Sequence, residues 1–153
     1  MIDSVPADVA NAENFVRVGL TADAHNAAHT REELARWLDQ YFELDQTRVN
    51  DLLLATNEAL ANAAEFAYVN AERAGTMDIL ANFNARDGKL SVTITDHGTW
   101  RPPNPAPQNR LRGRGIPLMH ALSDNASITP TSEGTRVHLE WTGVHGRDGV
   151  SGS

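Results

Sequence analysis

The chain has 153 residues, of which 41% are hydrophobic and 22% charged, and these values predict a single globular domain that buries its core without covalent cross-links. The sequence contains no cysteine, which excludes disulfides, thiol catalysis and cysteine-ligated metal sites. Its formal net charge of −7 argues against sequence-independent binding of nucleic acid, because contacts to phosphates need a clustered cationic surface.

Signals for export or for a membrane are also lacking. The first residues show no basic stretch followed by an apolar one, and no apolar run approaches the roughly 18 residues that span a bilayer. We therefore expect a cytoplasmic protein without a membrane partner.

The N-terminal third of the chain predicts a flexible segment, a strand and a helix. Residues 1–13 are polar and alanine-rich, and we expect them to be flexible. Phe15–Leu20 alternates apolar and polar residues, which predicts a strand. Thr30 with Glu33 three residues later is typical of a capping box and predicts that a helix begins at Thr30. The apolar stripe of this helix is expected to contain Leu34, Trp37, Leu38 and Tyr41.

A second helix is predicted for Thr47–Ala74, which is rich in alanine and leucine and contains neither glycine nor proline. Its apolar face is expected to contain Val49, Leu53, Leu60, Ala63 and Ala67, flanked by Leu52 and Thr56. The roughly opposite face contains Asp51, Glu58, Asn62 and Glu65. Glu58 and Asn62 are four residues apart and point the same way, so that a proton acceptor and a neutral Mg²⁺ ligand are adjacent. A solvated helix face is the commoner explanation of such a pair.

The next two strands, Met77–Ala85 and Leu90–Thr95, are joined by Arg86–Lys89, whose Asp-Gly pair is typical of a hairpin turn. Asp96 follows the second strand, and Gly98 comes two positions later. A buried carboxylate at a strand end can accept a hydrogen bond from an exocyclic amine and so select adenine, while the glycine lets the backbone approach the ring. An ordinary Asp-x-Gly turn is the alternative.

A long loop and a glycine-led helix are predicted next. Residues 97–112 contain four prolines and three arginines and lack an apolar period, which indicates a loop that acts as a lid over a site. Gly113 and Gly115 then precede a helix predicted for Ile116–Leu122. The N–H groups and the dipole at this helix start, with the arginines nearby, suit a phosphate, although a glycine pair before a helix is more often a hinge.

Two last strands are predicted near Ala126–Pro130 and Thr135–Trp141, and the glycine-rich tail from residue 143 to residue 153 is expected to be disordered. The ordered domain is therefore expected to span residues 14–142. The order β-α-α-β-β-α-β-β predicts an α+β two-layer sandwich, in which helices cover one face of a mixed, mainly antiparallel sheet. The acid and amide on one helix, the acid after a strand and the glycine-led helix together predict a nucleotide pocket.

Four motifs in this order resemble those of the GHKL ATP-binding superfamily, and in particular those of its bacterial anti-sigma-factor serine/threonine kinases. The motifs are NEALANAAEFAY, DHGTWRPP, RGRGIPLMHALSD and EGTRVHLEW, which resemble the N box and the three glycine boxes of that family. The resemblance covers roughly Phe15 to Trp141. It implies a GHKL ATPase-like fold, with ATP and Mg²⁺ as cofactors.

The resemblance also implies roles for individual residues. Glu58 matches the general base, Asn62 the Mg²⁺ ligand, and Asp96 the residue that binds the adenine amino group. The other implied contacts with the nucleotide come from Gly98, Arg112, Gly113, Arg114, Gly115 and Thr135. The chain departs from the family at Phe66, where a histidine is common, since phenylalanine can neither ligate a metal nor donate a hydrogen bond.

The implied activity is transfer of the ATP γ-phosphate to a serine or threonine of a STAS-type anti-anti-sigma protein, which leaves the kinase free to sequester a sigma factor. Phosphoryl transfer of this kind needs positioning and charge neutralisation rather than covalent catalysis. The resemblance makes a homodimer plausible. Two alternatives stay open, namely a non-catalytic module that senses ATP and sequesters a partner, which Phe66 favours, and the catalytic domain of a sensor histidine kinase.

Overall fold

The computed structural model describes residues 8–69, 75–97, 117–130 and 135–146. The elements are β1 (Asp8–Ala10), β2 (Asn14–Thr21), α1 (Ala24–Tyr41), β3 (Phe42–Glu43), α2 (Gln46–Val69), β4 (Thr76–Asn84), β5 (Lys89–His97), α3 (residues 117–122), β6 (Asn125–Pro130), β7 (Thr135–Trp141) and β8 (His145–Gly146). Among these described residues, no helix is long and apolar enough to cross a membrane.

The predicted α+β sandwich is confirmed. Six strands form one sheet in the order β1-β2-β4-β5-β7-β6, and each neighbouring pair is antiparallel. β3 and β8 form a separate two-stranded sheet. α2 packs across β4, β5 and β7, and α1 packs on α2 and β2, so the core lies between the helices and one face of the large sheet.

The hairpin between β4 and β5 forms where the Asp-Gly pair predicted it. Gly88 has a φ of 67°, in the left-handed region that favours glycine, and its N–H donates to the Asn84 carbonyl at 2.9 Å. A Cβ atom at this position would lie 3.1 Å from the Val144 carbonyl oxygen, so the close approach of another segment also favours glycine. The turn therefore fixes the register of β4 and β5 over their whole length.

The predicted start of the first helix was wrong. The helix begins about two turns earlier, and its N-cap is Asp23, whose Oδ1 accepts a hydrogen bond from the Asn26 N–H at 2.7 Å. Thr30 lies within the helix and is 1% exposed, while Glu33 accepts from the Arg17 guanidinium at 3.0 Å. Asp23 and Thr30 are both residue types that commonly cap a helix, and the helix begins after the earlier of the two. The apolar stripe is confirmed: Leu34, Trp37 and Leu38 are buried and Tyr41 is half-buried.

The second helix is confirmed through Val69, and residues 70–74 lie outside the described ranges. Its buried stripe is rotated from the predicted one towards Glu58 and Asn62. The buried residues are Leu52, Ala55, Thr56, Ala59, Leu60 and Ala63, whereas Val49 and Leu53 are half-buried. The expectation that Glu58 and Asn62 lie opposite the apolar face was therefore wrong. Alanines set the true face, because their small side chains let the helix approach the sheet closely.

Short strands extend the described fold at both ends, within segments expected to be flexible or disordered. At the N-terminal end, β1 pairs with β2, and the Trp37 indole N–H donates to the Asn11 carbonyl at 2.7 Å. At the C-terminal end, β8 pairs with β3, and Val144 is 2% exposed, with its N–H donating to the Gly88 carbonyl at 2.9 Å. Long-range hydrogen bonds thus order residues whose local sequence is polar or glycine-rich.

Candidate nucleotide site

Asp96 lies inside β5, on the face of the sheet that packs against the helices. The predicted strand ended at Thr95, but β5 continues to His97. Alternate residues of the strand are buried: Leu90, Val92, Ile94 and Asp96. Asp96 is 3% exposed, so the strand places a carboxylate at the end of an otherwise apolar row. A carboxylate in such an environment needs hydrogen-bond donors, because desolvation disfavours its charged form.

Thr135 supplies one of these donors. Its backbone N–H donates to Asp96 Oδ1 at 3.2 Å, and Thr135 is 7% exposed. The contact arises because β5 pairs with β7 up to the Thr95–Arg136 pair, so the next residues along the two strands meet at the edge of the helix-covered face. Two of the residues that the resemblance assigned to nucleotide binding are therefore brought together, although they are 39 positions apart in sequence.

Glu58 and Asn62 lie one turn apart on α2, and both are half-buried. Each precedes a buried alanine, Ala59 or Ala63, which contributes to the stripe packed on the sheet. The two polar side chains therefore border the interface between α2 and its neighbours, rather than facing bulk water. Asp51 on the same helix is also half-buried, so the assignment of Glu58 and Asn62 to a site stays a prediction.

Several predicted site residues lie outside the described ranges. These are Gly98, Arg112, Gly113, Arg114 and Gly115, together with the loop of residues 98–112. The side chain of Phe66 is likewise outside the described part of the chain, although its backbone belongs to α2. Their assignments stay predictions.

The described part of α3 is anchored to β7. Met119 is fully buried in the core, and the Leu122 carbonyl accepts a hydrogen bond from the Trp141 indole N–H at 2.9 Å. The Ser123 hydroxyl donates to the Met119 carbonyl at 2.6 Å and so closes the end of the helix. The helix that the sequence placed after the glycine pair therefore has a fixed C-terminal end.

The open face of the sheet, which lies opposite α1 and α2, carries a polar pair that the sequence did not indicate. His97 Nε2 lies 2.7 Å from Asp78 Oδ2, and Asp78 Oδ1 accepts from the Gly19 N–H at 2.8 Å. Gly19 has a φ of 71° and lies at an irregularity in the pairing of β2 with β4. Strand alternation could have placed Asp78 and His97 on the open face, but only the register of β4 and β5 shows that their side chains are in contact.

The residues that the structure describes fit an adenine nucleotide with a hard cation. Asp96 is a buried acceptor of the kind that an exocyclic amine needs, and the Asn62 carboxamide oxygen is a suitable Mg²⁺ ligand. Within the described ranges, no group of three or more His, Cys, Asp or Glu side chains could hold a metal. Mg²⁺ is commonly held by one or two protein ligands together with water and substrate phosphates.

Two solved structures are similar to this chain. The crystal structure of the RsbU and RsbW domains of Rv1364c from Mycobacterium tuberculosis matches with a TM-score of 0.64 and 22% identity, over 88% of this chain and 33% of that one. The present chain thus spans about a third of that protein's length. The histidine kinase domain of a blue-light activated histidine kinase from Erythrobacter litoralis EL346 matches with a TM-score of 0.46 and 19% identity, over 62% and 44% of the two chains.

The first of these likenesses shows a shared fold. The family comparison shows more than a shared fold, because residues 20–141 match the model of the histidine kinase-like ATPase domain. This range contains α1, α2, the hairpin of β4 and β5, and β7, and therefore every residue that the sequence analysis assigned to the site. The chain belongs to the histidine kinase-like ATPase domain family, which confirms the GHKL ATPase fold that the four motifs indicated.

Proposed function

We propose that this protein is an ATP-dependent serine/threonine protein kinase that acts as an anti-sigma factor in the cytoplasm. Its substrate is a STAS-type anti-anti-sigma protein, and its second partner is a sigma factor that it sequesters. The observation that supports the ATP site most strongly is the buried Asp96 carboxylate with the Thr135 N–H bonded to it, in a chain of the histidine kinase-like ATPase family.

Each site residue has a stated task in this proposal. ATP supplies the phosphoryl group, and Mg²⁺ neutralises part of its charge. Asp96 accepts a hydrogen bond from the adenine amine, and Asn62 provides an oxygen ligand to Mg²⁺. The phosphates are bound by Arg112, Gly113, Arg114 and Gly115. Gly98 lets the backbone approach the adenine ring, and Thr135 contacts the nucleotide beside Asp96.

Glu58 is the general base of the transfer. The substrate hydroxyl oxygen bonds to the γ-phosphorus, the bond to the bridging oxygen of ADP breaks, and the hydroxyl proton moves to the Glu58 carboxylate. The position of Glu58 one turn from Asn62 supports this role, because a general base must lie within hydrogen-bond reach of the proton it accepts, and Asn62 would hold the Mg²⁺ of the bound ATP.

The anti-sigma assignment rests on the motifs RGRGIPLMHALSD and DHGTWRPP, whose residue patterns are more specific than those of a general ATPase. A homodimer is part of the proposal, and the open face of the sheet supports it. Val18 of β2 and Leu80 of β4 are 47% and 44% exposed there, and exposed apolar side chains on one sheet face commonly mark a protein contact.

Phosphate transfer is tested with γ-labelled ATP, Mg²⁺ and the purified STAS-type proteins of the same genome. We expect one of them to become labelled, and Glu58→Gln to slow labelling by roughly 100-fold or more, because a general base contributes on that scale. Asp51→Asn is the matched control, since Asp51 is a half-buried acid two turns earlier on the same helix, and it should leave the rate unchanged.

The alternative is a non-catalytic module that binds ATP and sequesters its partner, which Phe66 favours because a histidine is common at that position in the resembling kinases. It predicts ATP binding and partner binding without any labelled substrate. Equal labelling by wild-type protein and Glu58→Gln would contradict the role of Glu58 even if the kinase activity is real.

A further inference from the structure

Asp124 ends the motif RGRGIPLMHALSD, and neither nucleotide binding nor phosphoryl transfer has used it so far. Its Oδ2 atom accepts three hydrogen bonds, from the Arg48 guanidinium at 3.0 Å, the Thr142 N–H at 2.8 Å and the Thr142 hydroxyl at 3.2 Å. The Asp124 N–H in turn donates to the Glu140 carbonyl at 2.9 Å. One side chain therefore connects the segment after α3, the start of α2 and the end of β7.

These contacts join two elements that the proposed site needs. Arg48 lies in the first turn of α2, whose N-terminal end is capped by Asp45, the acceptor of the Arg48 N–H at 2.8 Å. Glu58 and Asn62 follow on the same helix, about three and four turns later. A continuous helix transmits a shift at its start along its axis, so the position of Arg48 constrains the positions of both polar residues.

The other element is α3. Its C-terminal end is held by the Trp141–Leu122 hydrogen bond of 2.9 Å, and Asp124 comes two residues later. The described contacts of Asp124 thus all lie at the end of α3 away from the glycine pair. These contacts fix the C-terminal end of α3, and the N-terminal end of the same helix is proposed to bind the phosphates.

We infer that Asp124 and Arg48 form a clamp that sets the position of α3 relative to α2 and thereby the affinity for the triphosphate. Asp124 is a positioning residue in this inference, which rests on the proposed ATP-binding function. The side chains of Arg48 and Asp124 are 31% and 48% exposed, and ion pairs with that exposure contribute little to global stability. The clamp therefore acts on geometry at the site more than on the free energy of unfolding.

Binding of ATP with Mg²⁺ and binding of AMP, measured by calorimetry well below the unfolding temperature, test the clamp. Asp124→Asn and Arg48→Gln should each weaken ATP binding roughly three- to tenfold, because misplacement of a binding element is costly. AMP, which lacks the β- and γ-phosphates, should bind as it does to wild type. The double variant should be no weaker than the single ones, since both remove one shared interaction.

Glu33→Gln is the matched control. It breaks the Arg17–Glu33 pair, also 3.0 Å long, which joins β2 to α1 away from α3. The affinity of Glu33→Gln for ATP should equal that of wild type. The midpoint temperature of unfolding should change little in the Asp124 and Arg48 variants, whose ion pair is partly exposed.

Unchanged ATP affinity in Arg48→Gln, which leaves the Asp124–Thr142 hydrogen bonds intact, would overturn the clamp even if Asp124→Asn failed to fold. Equal losses for ATP and AMP would also overturn it, because they indicate a general structural role. A folded wild-type protein that binds no ATP would overturn the proposed function, and the clamp with it, whereas normal ATP binding with insensitive variants overturns the clamp alone.

Discussion

Adjacent residues of β5 lie in two different environments. One set faces the helices and is buried: Leu90, Val92, Ile94 and Asp96. The other set lies on the open face and is half-buried or exposed: Ser91, Thr93, Thr95 and His97. A single strand therefore contributes an apolar row that ends in a carboxylate on one side and a polar row on the other.

The acids on the two faces are stabilised differently. On the open face, Glu140 Oε2 lies 2.9 Å from His138 Nε2, and His138 Nδ1 lies 2.8 Å from the Thr93 hydroxyl. Glu140, His138 and Thr93 therefore form a chain of hydrogen-bonded side chains on a partly exposed surface. On the helix-covered face, the buried Asp96 carboxylate accepts a hydrogen bond from the Thr135 main-chain N–H. Burial and neighbouring elements, rather than the residue type, therefore distinguish the buried acid Asp96 from the surface acid Glu140.

The largest difference between the faces is expected in stability. Ile94 is 1% exposed and Leu80 on the neighbouring strand is 44% exposed. Ile94→Ala should lower the free energy of unfolding by about 2–5 kcal/mol, because it removes buried methyl groups and leaves a cavity. Leu80→Ala should cost less than about 1 kcal/mol. Urea unfolding of both variants checks this, and similar losses would mean that the open face is also packed.

A smaller, pH-dependent effect is expected on the open face. The hydrogen bond from His138 lowers the pKa of Glu140, with smaller contributions from Asn125 and Lys89, and partial burial acts in the opposite direction. Since the folded-state pKa lies below the unfolded value of about 4.3, the Glu140 carboxylate stabilises the fold above that pH, and the contribution is lost as pH falls through the lowered value.

Glu140→Gln tests this effect through unfolding measurements at several pH values. Wild type should be the more stable protein at pH 6, and the difference should shrink as the pH falls below about 4. A difference in the free energy of unfolding that stays constant down to pH 3 would contradict the assigned cause. In His138→Gln the free energy of unfolding should fall less between pH 6 and pH 3 than in wild type, because the variant removes the main hydrogen bond that lowers the pKa of Glu140.

The sequence predicted the parts of the fold that local patterns control. Period-two alternation identified β4, β5 and β7, and the Asp-Gly pair at Gly88 located the hairpin, because turn chemistry and strand period act over a few residues. The start of α1 was misplaced because Asp23 and Thr30 both resemble caps, and only packing decides between them. The face of α2 was misjudged because alanines count little on a hydrophobic scale but pack closest to the sheet.

The site was predictable only in part. The motif resemblance selected Asp96 and Thr135, but their contact depends on strand pairing across 39 positions. The Arg48–Asp124 pair spans 76 positions and leaves no local pattern, so no reading of periodicity could find it. Long-range contacts of this kind follow from the sheet order, which the sequence analysis did not specify.

Calorimetric titration of ATP with Mg²⁺ into wild type, Asp96→Asn and Asp78→Asn tests whether Asp96 binds the adenine amine. Asp96→Asn should weaken ATP binding by roughly 10- to 100-fold, because a charge-assisted hydrogen bond to the adenine amine is lost while the side-chain shape is kept. Asp78→Asn, which alters an acid on the open face, should bind ATP like wild type. Wild-type affinity in a folded Asp96→Asn protein would contradict the assignment of Asp96 as the adenine-binding residue.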